Sequence, residues 1–119
     1  IQTVSLKGIE GLQKIQEIMN TLRSHAPQKV GEYQVQAVRD YKTGVIRDLA
    51  SGQERPSGLP ESNVLYYELN DDAWLCVRPS GTEPKVKFYY GVKGTSLEDA
   101  DEKSAAFGAA VKSMIEEML

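Results

Sequence analysis

Three strand-like runs follow one another between residues 63 and 92, and this succession constrains the fold more than any other feature of the chain. The runs cover residues 63–69, 73–78 and 85–92. A short polar segment, Asn70-Asp71-Asp72, joins the first two runs and predicts a β-hairpin. The third run alternates in character, with Val86, Phe88 and Tyr90 on one face and Lys85, Lys87 and Tyr89 on the other. The segment therefore predicts three consecutive strands of an antiparallel sheet.

Two amphipathic helices are predicted on either side of this segment. Apolar residues recur at helical spacing from Gly8 to about Ser24, and Pro27 ends that helix. A capping box at residues 96–99 begins a second helix, which continues to about Met118. The residues expected to face the core are Ile9, Leu12, Ile15, Ile18, Met19 and Leu22 in the first helix, and Leu97, Ala100, Ser104, Phe107, Val111, Met114 and Met118 in the second.

The remaining segments complete an α+β fold. Residues 32–41 alternate weakly and predict a further strand. Residues 42–62 are rich in glycine, serine and proline and predict a long functional or mobile loop with a brief strand at 45–47. We therefore expect one domain over residues 1–119, with an antiparallel sheet of about four strands and two helices packed on one face.

The composition excludes several classes of protein. The chain has 119 residues, 26% of them charged, and a net charge of −3, which argues against a general binder of nucleic acid or of a membrane surface. No apolar run approaches the roughly 18 residues of a membrane span. The single cysteine cannot form an internal disulfide, which fits a reducing cytoplasmic compartment. We expect no nucleic-acid or membrane partner and a cytoplasmic location.

The loop between the second and third runs has the chemistry of an anion-binding site. It reads Arg78-Pro79-Ser80-Gly81-Thr82-Glu83-Pro84 and is called the anion loop below. The guanidinium of Arg78 offers paired donors that match a phosphate edge. Ser80 and Thr82 add hydroxyls, and Gly81 allows the backbone amides to approach a ligand closely. Taken alone, the same residues also fit a solvated turn.

Charged residues next to the anion loop supply or reduce its positive potential. Lys85 and Lys87 follow it on one face of the predicted strand, so both are candidates for electrostatic support of a bound phosphate. Glu83 weakens an anion site unless it neutralises one of these lysines or accepts a hydrogen bond from a sugar hydroxyl.

Other chemistry-bearing residues are predicted to be structural. Cys76 lies in an apolar run and is expected to be an inert, packed thiol. His25 lies near the end of the first helix with no partner base or nucleophile nearby in sequence. The acidic residues at 98–102 stabilise a helix start and show no metal-ligand spacing.

The run from Trp74 to Tyr90 resembles the C-terminal domain of the α-D-phosphohexomutases, the phosphoglucomutase and phosphomannomutase family. In that family a loop of the form Arg-x-Ser-Gly/Asn-Thr-x-Pro closes over the phosphate of the sugar substrate. Gly81 followed by Glu83-Pro84-Lys85 is most similar to the phosphoglucomutase branch, and phosphoglucosamine mutases also have glycine at this position. The resemblance implies a TATA-binding-protein-like fold and phosphate contacts from Arg78, Ser80, Gly81, Thr82, Lys85 and Lys87.

The resemblance also implies that other parts of a longer enzyme carry the catalysis. The family's phosphoserine loop, its acidic Mg²⁺ motif and its sugar-selecting Gly-Glu-x-Ser-Gly loop do not occur in these 119 residues. We therefore expect no catalytic residue and no bound metal here, a hexose phosphate substrate, and the remaining domains of the parent enzyme as partners. By itself the chain is expected to be inactive.

Several alternatives stay open at this stage. The same domain could come from a phosphomannomutase, a phosphoglucosamine mutase or a phosphopentomutase, because the sugar-selecting loop is not in the chain. A stand-alone phosphate-binding or interaction module is a second class. The sequence does not give the parent's oligomeric state, the role of Glu83, or whether residues 42–62 touch substrate.

Overall fold

The structure, a computed structural model, describes residues 2–118 and confirms the α+β class. Helix α1 spans Gly8–Ser24 and helix α2 spans Leu97–Met118. The strands are β1 Gln2–Ser5, β2 Lys29–Val30, β3 Tyr33–Asp40, β4 Val45–Asp48, β5 Glu54–Pro56, β6 Leu65–Leu69, β7 Trp74–Pro79 and β8 Lys85–Gly91.

All described strand pairs are antiparallel, in the order β1-β8-β7-β6-β3-β4-β5, with β2 also paired to β3. The sheet is therefore larger than the four strands expected. The three predicted consecutive strands are β6, β7 and β8, and the weak alternation at 32–41 is β3. Of the additional strands, β4 contains the brief strand predicted at 45–47. The other three, β1, β2 and β5, have two to four residues each, too few alternating positions to be recognised from sequence.

Both helices pack on one face of the sheet, as expected. The buried cluster joins Ile18 and Leu22 of α1, Phe107 and Val111 of α2, and alternate residues of the central strands. The buried residues of those strands are Leu65, Tyr67, Leu69, Leu75, Val77, Val86 and Phe88. The opposite face of the central strands is not covered by a helix and presents Tyr66, Trp74, Cys76, Arg78, Lys87 and Tyr89, which are half-buried or exposed.

Parts of the predicted helix faces were wrong. Ile9 is 76% exposed and Leu97 is 86% exposed, so neither faces the core. In α1 the buried stripe runs through Ile15 and back to Gly11, and this phase leaves Ile9 and Leu12 at its margin. In α2 it runs through Phe107, Gly108, Val111 and Ile115, which leaves Leu97 and Ser104 outside it.

Candidate phosphate-binding loop

The anion loop connects the central strands β7 and β8. Its base is fixed by the strand register, in which Arg78 pairs with Lys87 and Pro79 with Val86. The amide of Ser80 donates to the carbonyl of Lys85 over 2.9 Å, which closes the loop. Gly81 has a φ of +87°, the left-handed conformation that an L-residue adopts only with strain. The loop is therefore a tight, hydrogen-bonded connection between two strands rather than an open loop.

The register brings together two of the predicted cations. Arg78 and Lys87 are directly opposite each other on neighbouring strands, so both side chains leave the sheet on the face away from the helices. Both are exposed, as are Ser80 and Thr82 at the tip of the loop. Arg78 and Lys87, which are separated in the sequence, thus form one positively charged edge beside the hydroxyls of Ser80 and Thr82.

Glu83 has a definite partner in the structure. Its carboxylate lies 3.2 Å from the Nζ atom of Lys85, and the side chains of Lys85 and Glu83 are 43% and 60% exposed. Such a pair contributes little to stability, on the order of 0–1 kcal/mol, but it reduces the positive charge that Lys85 offers to a ligand. Arg78 and Lys87 are therefore the better-placed cations, and Lys85 is the weaker of the predicted phosphate contacts.

The loop is also held from behind, by a contact that the sequence did not predict. The amide of Leu6, just after β1, donates to the carbonyl of Pro84 over 2.8 Å. Gly11, in the first turn of α1, lies against both Leu6 and Pro84. Leu6 and Gly11 are far from Pro84 along the chain, so only the fold brings them together.

An aromatic and charged cluster lies on the same open face, farther along β6 and β7. The rings of Tyr66 and Trp74 stack at a centroid distance of 5.9 Å, and the guanidinium of Arg39 lies 5.3 Å from the Tyr66 centroid. Arg39 also bonds the Glu68 carboxylate at 2.8 Å, and this bond raises the pKa of Arg39. The cluster keeps Arg39 firmly charged and paired.

Cys76 lies between these two regions and is half-buried. Burial raises the pKa of its thiol, and the nearby Arg78 opposes this only in part. The thiol is therefore protonated at neutral pH and poorly suited to act as a nucleophile. This agrees with the predicted packing role, although the side chain is less enclosed than expected.

Residues 42–62 contain a strand at 45–48, as predicted, and a second strand at 54–56 that forms a hairpin with it. Strands β4 and β5 pair with each other, and the Asp48 carboxylate accepts hydrogen bonds from the amides of Ala50 and Ser51. In the sheet, β6, β3 and β4 separate β5 from β7. The hairpin therefore lies at the edge of the sheet away from the β7–β8 side.

The described residues give no sign of a metal centre or of a membrane span. Within residues 2–118 no group of three or more histidine, cysteine, aspartate or glutamate side chains is placed to hold a metal ion. Neither helix in that range is long and apolar enough to cross a bilayer. His25 ends α1 and donates its amide to the carbonyl of Thr21.

Comparison with known proteins identifies the same family that the anion loop resembles. Residues 27–107 match the family model described as phosphoglucomutase/phosphomannomutase, C-terminal domain. The chain belongs to this family. Phosphoglucomutases from Staphylococcus aureus strains bovine RF122 / ET3-1 and MRSA252 are each 37% identical to it over 99 residues, and that from strain N315 is 36% identical. The aligned region is 83% of this chain but only 18% of each relative. No solved structure matches the chain.

Proposed function

We propose that this chain is the substrate-phosphate-binding domain of a phosphoglucomutase that interconverts glucose 1-phosphate and glucose 6-phosphate. The observation that carries the proposal is the pairing of Arg78 with Lys87 across β7 and β8, beside the exposed hydroxyls of Ser80 and Thr82. Two cations and two hydroxyls at one glycine-containing turn suit a phosphate dianion. Family membership and relatives named phosphoglucomutase support the choice of substrate.

The proposed role is to hold the phosphate that does not react. Arg78 binds one edge of that phosphate, the hydroxyls of Ser80 and Thr82 and the amide of Gly81 bind its other oxygens, and Lys87 adds positive potential. Because the loop recognises the phosphate and not the sugar, it can anchor the substrate in either orientation. Binding energy gained at this remote group then positions the reacting end for phosphoryl transfer elsewhere in the enzyme.

The catalytic groups belong to the rest of the longer enzyme in this proposal. The family uses Mg²⁺, and because its acidic Mg²⁺ motif does not occur in these 119 residues, we assign the metal ligands to other domains. Residues 1–119 act as one C-terminal domain, its partners are the remaining domains and a hexose phosphate, and the enzyme is cytoplasmic. The isolated chain binds phosphate but has no mutase activity.

Other mutases of the family remain the second candidates. Gly81, where phosphomannomutases more often have asparagine, favours a phosphoglucomutase or a phosphoglucosamine mutase. A phosphopentomutase and a stand-alone phosphate-binding module are the further alternatives. If the full-length protein prefers mannose, glucosamine or pentose phosphates to glucose phosphates, the proposed substrate is wrong and the preferred one takes its place.

The first test is a ¹H–¹⁵N NMR titration of the chain with glucose 1-phosphate, glucose 6-phosphate and inorganic phosphate. We expect weak binding, around millimolar, because one wall of a cleft contributes only part of the binding energy. Shifts confined to the amides of Arg78, Ser80, Gly81 and Thr82, and similar for all three ligands, support a phosphate anchor. Shifts elsewhere, or tight binding of one sugar phosphate alone, contradict this division of labour.

A further inference from the structure

Gly11 occupies a place in α1 where a larger residue would press on Leu6 and on Pro84 of the anion loop. A Cβ atom at this position would lie 2.9 Å from the Cβ of Leu6, 3.0 Å from the Cβ of Pro84 and 3.1 Å from the carbonyl carbon of Leu6. The distance to the Cβ of Leu6 is shorter than folded proteins show, and the other two are tighter than most Cβ contacts. The atoms involved lie in or next to the backbone, so a flexible side chain cannot simply turn away. The first turn of α1 thus packs against the loop at backbone distance.

Pro84 has little freedom to retreat from this contact. Its carbonyl accepts the hydrogen bond from Leu6, and the next residue, Lys85, pairs with Ser5 of β1. The amide of Lys85 in turn donates to the carbonyl of Glu83 over 2.7 Å. A displacement of Pro84 is therefore passed on to the loop residues before it rather than absorbed locally.

We infer that Gly11 is a positioning residue for the anion loop: its missing side chain lets α1 and the segment after β1 press Pro84 into the conformation that binds phosphate. The choice of phosphate as the ligand rests on the proposed function. The effect of Gly11 on the conformation of the anion loop does not depend on the ligand. Gly11 touches no substrate in this scheme and acts through Pro84.

Local helix propensity predicts the opposite effect for a simple substitution. Alanine is the better helix former in a helix interior, so Gly11→Ala would stabilise α1 if nothing pressed on it. We expect instead that Gly11→Ala shifts the amide resonances of residues 80–85 in the free protein. We also expect it to weaken binding of inorganic phosphate by about fivefold, the scale of one misplaced hydrogen bond.

The control separates positioning from a general loss of stability. Ile15 lies one turn farther along the same buried face of α1, and Ile15→Val removes one methylene from the core while Gly11 stays in place against Pro84. NMR titrations of the wild-type chain, Gly11→Ala and Ile15→Val with inorganic phosphate, at constant ionic strength and at a temperature where all three are folded, give the comparison. Ile15→Val is expected to lower the melting temperature and to leave the loop amides and the phosphate affinity unchanged.

Each outcome supports or overturns a distinct statement. Unchanged loop resonances and an unchanged phosphate affinity in Gly11→Ala, with normal wild-type binding, overturn the inference alone. If the wild-type chain fails to bind phosphate at the loop, the proposed function fails, while the free-protein shifts still test the positioning. If Gly11→Ala does not fold, the double variant Leu6→Gly/Gly11→Ala is measured instead. It removes the Cβ atom of Leu6, which is the closest neighbour, and keeps the contact with Pro84. Loop amides that match those of Leu6→Gly alone then overturn the inference.

Discussion

The two turns at the ends of strand β7 solve the same geometric problem in different ways. The turn before β7 uses Asp71 and Asp72, whose φ values are +56° and +58°. The turn after β7 uses Gly81, with a φ of +87°. The first turn thus forces two residues with side chains into the left-handed region, whereas the second places a glycine there.

The surroundings of the turns show why they differ. Asn70, at the start of the first turn, accepts a hydrogen bond from the amide of Gln34 over 2.7 Å, which fastens that turn to β3. Around Gly81 the space is open, and no atom lies within 4 Å of the place a Cβ would take. Packing therefore does not require the glycine, whereas the backbone conformation and, on the proposed function, close approach of a phosphate do. On the proposed function, the comparison separates a turn that serves the fold from a turn that serves a ligand.

Of the substitutions that test the difference between the two turns, Arg78→Ala in the full-length enzyme is expected to have the largest effect. Loss of one charge-assisted phosphate anchor should lower kcat/KM by roughly 100-fold or more. The matched control is Lys93→Ala, which removes an exposed cation that pairs with Asp72 at the other turn, over 3.5 Å. Steady-state kinetics of both variants check the prediction, and equal effects at the two turns would remove Arg78 from the site.

A smaller effect is expected from the hydroxyls of the second turn. Ser80→Ala and Thr82→Ala should each cost about 1 kcal/mol of phosphate binding, the usual scale for one hydrogen bond. Isothermal titration calorimetry or NMR titration with inorganic phosphate measures the change in the free energy of binding. Ser113→Ala, at an exposed position on α2, serves as the control and should bind phosphate like the wild type. Affinities that do not differ between the loop variants and this control would leave the hydroxyls as turn residues only.

Stability measurements sharpen the comparison at the first turn. Asp72→Gly and Asp72→Ala both remove the exposed carboxylate, but only alanine keeps the strain of a positive φ. We expect the glycine variant to be more stable than the alanine variant by about 1 kcal/mol, with equal phosphate binding. At the second turn, Gly81→Ala should lose a similar amount of stability and also weaken phosphate binding. Denaturant unfolding and titration of the three variants test both halves, and unaltered phosphate binding in Gly81→Ala would place both turns in the same class.

The smallest effect is expected at Cys76, on the strand between the turns. Because burial raises the pKa of this thiol, its alkylation by iodoacetamide should be slower at pH 8 than that of a free cysteine and should rise only at higher pH. Cys76→Ser should bind phosphate normally. Rapid alkylation at neutral pH would show a thiolate and contradict the packed role.

The sequence predicted the central part of the fold well because its signals are local. Alternation in residues 85–92 and the turn at Asn70-Asp71-Asp72 identified β8 and the β6–β7 hairpin without any long-range information. The capping box was also found: the amide of Asp99 donates to the Ser96 hydroxyl, although the Asp99 carboxylate accepts from Thr95 instead of Ser96. The phosphate contacts of the anion loop remain predictions, but the structure places Arg78 and Lys87 side by side.

The errors occurred where packing, rather than pattern, decides. Ile9 and Leu97 have the spacing of core residues but lie outside the contact between helix and sheet. The strand at 54–56 was not predicted because it is too short to show a period. It pairs with β4, which contains the brief strand predicted at 45–47 and which itself pairs with β3. Glu83 offered two possible roles in the sequence, and the structure pairs it with Lys85.

By itself, the sequence determined the α+β class, the central hairpins and the chemistry of the anion loop, because each depends on residues that are neighbours in the chain. Only the tertiary structure decided the number of strands, the phase of the helices and the support behind the loop. Those features depend on contacts between distant segments, such as Gly11 against Pro84, where the missing Cβ has meaning only once the two backbones meet.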